Sequence, residues 1–162
     1  MKAVMLDADS MGPGIDFSPL KNLVHELVLH PQSSAADCIS RLQDADIAIS
    51  NKVVLDATTL QSLPTLKLVC VVATGMNNVD LAAAKKLGIQ VRNVVAYGTA
   101  SVAQHTLMLM LALANRLLPY QDDVRAGRWQ TSSNFCLQNY ATLQLQDKHL
   151  VIVGSGELGS KV

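Results

Sequence analysis

The sequence lacks an excess of charge of either sign. Thirteen Lys and Arg residues are matched by thirteen Asp and Glu, which removes the electrostatic reason to expect nucleic acid or an anionic membrane as partner. Cysteine is scarce. Cys38, Cys70 and Cys136 lie far apart without metal-ligand spacing, and an odd count does not make a disulfide framework, so a reducing, cytoplasmic setting is expected. Cys70 sits in an apolar run and reads as a buried thiol. No run is long enough to span a bilayer, which takes about twenty residues. The longest, Leu107 to Ala114, has eight, and Gln104, His105, Asn115 and Arg116 bound it. Met1-Lys2 leads directly into a strand-like pattern, without the long apolar stretch of a signal peptide. There is no internal repeat or low-complexity tract. His25, His30 and His149 flank strands and carry no ligand spacing, so no metal is expected.

What is present is a chain of 162 residues, 49% hydrophobic with a positive mean hydropathy, enough for one buried core and a remainder. Strand and helix patterns alternate. Strands are expected at 2–6, 26–29, 45–49, 66–73 and 89–95. Helices are expected from Pro19, from Ser34 as cap through Leu42, from Asp56 to Pro64, and over 79–87 with Gly88 as stop. The near-continuous apolar run 66–73 is of the kind a parallel sheet buries on both faces. Five strands separated by helices imply an α/β fold with a flavodoxin-like, doubly wound parallel sheet in the order 2-1-3-4-5. Tyr97-Gly98-Thr99 marks a break. Ser101 is then expected to cap a long apolar helix to about Leu117, suited to a core or a subunit interface. A more polar helical stretch follows from Pro119 to Trp129, and 131–146 reads as loop.

Two stretches carry chemistry. Leu150–Val153 is an apolar strand pattern feeding Gly154-Ser155-Gly156-Glu157-Leu158-Gly159, a G-x-G-x-x-G turn. Such a turn brings backbone close to a cofactor pyrophosphate at a helix N-terminus; an ordinary glycine-rich strand–helix turn would present the same residues. The second is Ala73-Thr74-Gly75-Met76-Asn77-Asn78-Val79-Asp80, after the fourth strand. Successive N–H groups there can hold a carboxylate at the carboxyl end of a parallel sheet. Alternatively, Asn78 or Asp80 caps the helix and Gly75 only permits the bend.

These motifs together resemble a known family. Leu66-Lys67-Leu68-Val69, the 73–81 stretch, Gly88-Ile89-Gln90-Val91-Arg92-Asn93 and Tyr97-Gly98-Thr99-Ala100-Ser101-Val102-Ala103-Gln104-His105-Thr106 are similar, in order and spacing, to the D-isomer-specific 2-hydroxyacid dehydrogenases. Ser50-Asn51-Lys52-Val53 and Val124-Arg125-Ala126-Gly127-Arg128-Trp129 resemble the glycerate dehydrogenase, or hydroxypyruvate reductase, branch. The resemblance covers the whole chain. It implies a substrate-binding domain over 1–98 and, over 99–162, a long dimerisation helix and the first strand of an incomplete Rossmann domain, truncated after the glycine-rich turn. It implies NAD or NADP as cofactor, a small 2-hydroxy or 2-oxo acid as substrate, and a homodimer through Ser101–Leu117 and the arm that follows. By resemblance, the substrate carboxylate falls to backbone around Thr74, Gly75 and Met76, with Asn51 and Lys52 at the cleft edge. Met76 departs from the smaller threonine often seen there. The cofactor falls to Gly154, Gly156, Glu157, Leu158 and Gly159, with Val102 and Thr106 on the nicotinamide side. Trp129 resembles a tryptophan that reaches toward a neighbouring subunit's cleft; an interface tryptophan without substrate role would look alike.

The family's catalytic arginine, glutamate and histidine lie beyond the glycine turn, so no catalytic residue is assigned here. His105, four residues into the apolar helix, reads as structural. The chain is thus expected to be the amino-terminal part of an NAD(P)-dependent oxidoreductase, inactive in isolation. A non-catalytic flavodoxin-like dimerisation module, or a truncated product, is the alternative.

Overall fold

Five strands of four residues form, β1 Lys2–Met5, β2 Glu26–Leu29, β3 Ile47–Ser50, β4 Leu68–Val71 and β5 Gln90–Asn93, mainly apolar except for β5, whose Gln90, Arg92 and Asn93 suit an edge. They form one five-stranded sheet in the order β2-β1-β3-β4-β5. Every neighbouring pair is parallel, as in Val4 opposite both Val28 and Ala48. The computed structural model describes residues 1–162 and divides into two compact units, Met1–Val95 and Ala96–Val162.

Alternation along the strands sorts the first unit's core by face. Val4, Ala48, Val69 and Val71 join Cys38, Leu42, Leu55, Leu60 and Leu63 in the larger cluster. Ala3, Met5 and Ile49 face the other way, against Met11, Phe17, Leu20 and Val24. The helices are short and terminated by local chemistry. α1 (Ser18–Lys21) has Pro19 in its first turn and ends after one turn, where the Asn22 N–H turns back onto the Ser18 and Leu20 carbonyls. At the start of α2 (Ala35–Leu42), Asp37 accepts from both the Ser34 N–H at 2.9 Å and the Ser34 hydroxyl at 2.7 Å. Asp56 caps α3 (Ala57–Gln61) by accepting from the Thr59 N–H at 2.8 Å. Asp80 caps α4 (Leu81–Lys86) by accepting from the Ala83 N–H at 2.9 Å.

Gly88 closes α4 in the left-handed conformation at φ +74°. Its N–H donates to the Lys85 carbonyl, and the Ile89 N–H donates to that of Ala84. This paired arrangement satisfies two orphan carbonyls and needs a residue without a Cβ penalty. Gly88→Ala is expected to cost about 1 kcal/mol, read as a lower urea midpoint at unchanged slope.

In the second unit, α5 runs Thr99–Ala114 and α6 Leu117–Arg125. Ser101 does not cap α5: the helix starts at Thr99, after Gly98, which supplies no side-chain cap. Buried Thr99 is anchored by donating its hydroxyl to Glu157 Oε1 at 2.8 Å. Nor does α5 reach Leu117. Arg116 sits at φ 54°, which ends the helical run and lets a second helix begin. Leu150–Val153 forms no strand, because no neighbour supplies a ladder to it. Val151 and Val153 are solvent-exposed. The apolar side chains of α5 are exposed on nearly every side, from Val102 and Leu107 through Met108, Leu109 and Leu111 to Leu113.

Candidate functional site

In an open parallel sheet the carboxyl ends of the strands form the ligand-binding edge, and in the first unit that edge is built by hydrogen bonds between loops. Asp7 follows β1 and is buried. Its carboxylate accepts from the Asn51 N–H at 2.9 and 3.0 Å and from the Lys52 N–H at 2.7 Å. The Ser50 hydroxyl accepts from the Val53 N–H at 3.0 Å. The chain leaving β3 is therefore folded around two acceptors rather than left as a free loop. Asn51 is half-buried and Lys52 exposed.

The β3 loop is then joined to the β4 loop. Leu55 and Val79 form a parallel bridge, with the Leu55 N–H on the Asn78 carbonyl at 2.8 Å and the Asp80 N–H on the Leu55 carbonyl at 3.0 Å. Asn78 Nδ2 donates to the Val53 carbonyl at 3.1 Å. The far side of the β4 loop is held by Asn93, whose Nδ2 donates to the Thr74 carbonyl at 2.7 Å. With Asn78 turned to Val53, the capping of α4 is left to Asp80. The turn Thr74-Gly75-Met76 is pinned at both ends, yet the N–H groups of these three residues find no acceptor within the chain. Thr74 and Gly75 are exposed, while Met76 is half-buried and packs on the larger core cluster. Anchoring Met76 in the core fixes the backbone direction of the turn. Beside Asp7, a cleft of about 410 Å³ is lined by Asp9, Ser10, Gln32, Ser33, Lys52 and Val53.

In the second unit, Gly154 adopts φ +104°. A Cβ at Gly159 would collide with the Gly154 carbonyl, so both positions require glycine. Ser160 donates its N–H to the Gly156 carbonyl at 2.9 Å, closing a single helical turn. The N–H groups of Ser155, Gly156 and Glu157 make no hydrogen bond within the chain. The Thr99–Glu157 bond ties this turn to the start of α5. Val102 lies next along that helix and is exposed, and the Thr106 hydroxyl donates to the Val102 carbonyl at 2.8 Å. Leu158 is half-exposed and Trp129 stands just beyond α6. His105 is exposed on α5, and no group of His, Cys, Asp or Glu side chains has metal-binding geometry.

Two residues of consequence were not singled out in the sequence. Asp7 sits in a turn that reads only as acidic; its position directly after the first strand was the available signal. Asp123, in the polar helical stretch, has its side chain wholly buried. It accepts from Arg128 Nη1, from Asn139 Nδ2 at 3.0 Å and from the Tyr140 hydroxyl at 3.2 Å. Donation from Asn139, then from Arg128, holds its carboxyl below the usual carboxylate range. A depressed folded-state pKa means that this carboxylate stabilises the unit above the ordinary carboxyl pKa of about 4 and loses that contribution as pH falls through the lowered value. Tyr120 packs edge-on against Tyr140 with centroids 5.0 Å apart. Their near-ultraviolet circular dichroism should therefore hold steady down to about pH 4 and collapse only below it.

The profile described as "D-isomer specific 2-hydroxyacid dehydrogenase, catalytic domain" matches residues 11–155. The chain is 38% identical over 162 residues to a putative 2-hydroxyacid dehydrogenase of Haemophilus influenzae, covering 100% of this chain and 51% of that protein. It is 39% identical to the glycerate dehydrogenase of Methylorubrum extorquens, covering 99% and 51%. Among solved structures, a D-lactate dehydrogenase of Aquifex aeolicus, complexed with NAD and lactic acid, superposes with TM-score 0.76 at 25% identity, over 99% of this chain and 46% of that one. The chain spans about half the length of the curated relatives it matches.

Proposed function

Because the chain belongs to the D-isomer-specific 2-hydroxyacid dehydrogenases, we propose that it supplies the substrate-carboxylate site and the pyrophosphate turn of an NAD(P)-dependent enzyme acting on a small 2-hydroxy or 2-oxo acid, of the glycerate/hydroxypyruvate type. The observation that carries this reading is the turn Thr74-Gly75-Met76, pinned on both sides with three unused N–H groups at the carboxyl end of a parallel sheet. Such a cradle suits a carboxylate, whose charge strengthens each N–H bond. Lys52 at the same edge adds a positive charge, and Asn51 a donor and an acceptor. Residues 1–98 serve as the substrate domain and 99–162 open the cofactor domain.

The glycine turn fits a dinucleotide. Gly154 and Gly159 have the conformation and the clearance that close approach of a pyrophosphate needs, and three N–H groups beside them are free. When bound, the nicotinamide supplies or accepts the hydride. The chain's own part is to hold the pyrophosphate at 154–159, to line the nicotinamide side with Val102 and Thr106, and to fix the carboxylate so that the reacting carbon is presented in one orientation. The exposed apolar surface of α5 and the arm after it are the proposed homodimer interface, from which Trp129 reaches a partner's cleft. The three free cysteines suit a reducing cytoplasm.

The test is an assembled enzyme, in which this chain is followed by the second half of the Methylorubrum extorquens glycerate dehydrogenase. Reduction of hydroxypyruvate or glyoxylate, with NADH or NADPH consumed in step, is the expected result. A folded assembly silent on every 2-oxo acid tried would leave the non-catalytic module as the better reading.

A further inference from the structure

α6 ends in a corner that Asp123 grips twice. Gly127, at φ +73°, donates its N–H to the Val124 carbonyl, and the Arg128 N–H donates to the Asp123 carbonyl at 3.0 Å. This is the same helix-closing arrangement as at Gly88, and it fixes the backbone direction of Arg128. The Asp123 carboxylate then takes the Arg128 guanidinium as well, so one residue holds Arg128 by main chain and side chain together. The remaining donors to that carboxylate, Asn139 and Tyr140, come from the returning loop. Tyr140 is itself tied to α6: the Tyr120 hydroxyl donates to the Tyr140 carbonyl at 2.9 Å. The next residue after Arg128 is Trp129. It is 55% exposed and walls an apolar cleft of about 280 Å³ with Tyr120, Val124, Phe135, Cys136 and Leu137.

A wholly buried carboxylate gains little net stability over an apolar residue of like size, because desolvation offsets the attraction. What three converging donors do provide is one fixed geometry. We propose that Asp123 is a positioning residue for Trp129, holding it through Arg128 at the angle with which it meets the substrate's side group in a partner's cleft. This rests on the reading that Trp129 serves a partner's cleft. Asp123 touches no substrate; it acts only through the corner.

Trp129 is the sole tryptophan, so its emission reports this corner directly. In the full chain, Asp123→Asn and Arg128→Met should both shift the emission to the red and raise iodide quenching, with far-ultraviolet circular dichroism unchanged. Arg128→Met keeps Asp123 paired with Asn139 and Tyr140, so it answers the question even where Asp123→Asn fails to fold. The control is Asp122→Asn, an exposed neighbour paired only with Arg125 at 3.9 Å, which should match the unmodified chain. In the assembled holoenzyme, Asp123→Asn, Arg128→Met and Trp129→Ala should each raise KM for hydroxypyruvate about tenfold while kcat changes little. Unaltered emission in Arg128→Met overturns the inference. Altered emission with unaltered KM, where Trp129→Ala raises KM, overturns the positioning role. A Trp129→Ala enzyme with normal KM refutes the reading beneath it, and the positioning role falls with that reading.

Discussion

Mixed with hydroxypyruvate or glyoxylate and NADH or NADPH, the isolated chain is expected to produce no enzymatic loss of reduced cofactor. Reducing a 2-oxo acid takes a positive group for the carboxylate and carbonyl and a proton donor for the oxygen. The family resemblance puts the arginine, glutamate and histidine for these tasks after the glycine turn. The resemblance assigns none of these tasks to residues 1–162. A missing general acid costs about 10²- to 10⁴-fold, and missing electrostatic stabilisation about 10²- to 10³-fold more. Together these losses amount to about 10⁴- to 10⁷-fold. Weak cofactor binding is also expected of residues 1–162 on their own, because the turn offers a dinucleotide only a few N–H groups. The assay is absorbance of the reduced cofactor, with a full-length relative as positive control. Turnover proportional to chain concentration and abolished by Gly75→Pro would refute the expectation and direct attention to His105.

Asp7→Ala should be the most damaging single change at the substrate edge. It removes the acceptor of two N–H groups at 2.7 to 3.0 Å and of the Ser50 hydroxyl at 3.4 Å. Hydrogen bonds to a charged acceptor contribute about 1.5–3 kcal/mol each, so a loss of about 3 kcal/mol is expected after partial rescue by water. The damage should spread, because Val53 and Leu55 are the residues that hold the β4 loop through Asn78 and Asp80. Asp7→Asn keeps one acceptor oxygen and should lose about half as much. Urea denaturation followed by far-ultraviolet circular dichroism measures both. An Asp7→Ala midpoint equal to that of the unmodified chain would mean that the β3 loop does not depend on this carboxylate.

Much of the first unit was legible in the sequence because its signals are local. Ser34 and Asp56 stand at the helix starts they announced, Gly88 at the stop, and β1, β3 and β4 lie within apolar runs. Alternation pointed to a doubly wound parallel sheet, and the order β2-β1-β3-β4-β5 is the flavodoxin-like one of the common orders for such sheets. The misreadings come from contacts distant in sequence. Thr99 begins α5 because of Glu157, which no local pattern around Ser101 reveals. Arg116 ends α5 by a left-handed backbone that its side chain does not advertise. Leu150–Val153 has strand composition, yet strands exist only in pairs, and no partner lies alongside. Asp7 and Asp123 bond to groups far along the chain or across a loop, so an acidic residue in a turn or a polar helix gave no hint of burial. The resemblance pointed to Thr74, Gly75 and Met76 as candidates for a carboxylate site. What it could not show is how the turn is held, by Asn93 on one side and Asn78 on the other.

The most direct measurement of the central claim is an amide nuclear magnetic resonance titration of the full chain with hydroxypyruvate, with acetate and L-glycerate as comparisons. The account predicts the largest shifts at Thr74, Gly75 and Met76, smaller ones at Asn51 and Lys52, and none at Ser10, Gln32 or Ser33 in the neighbouring cleft. Shifts centred on that cleft, or none at Thr74–Met76 at millimolar ligand, the range of weak single-site binding, would contradict it.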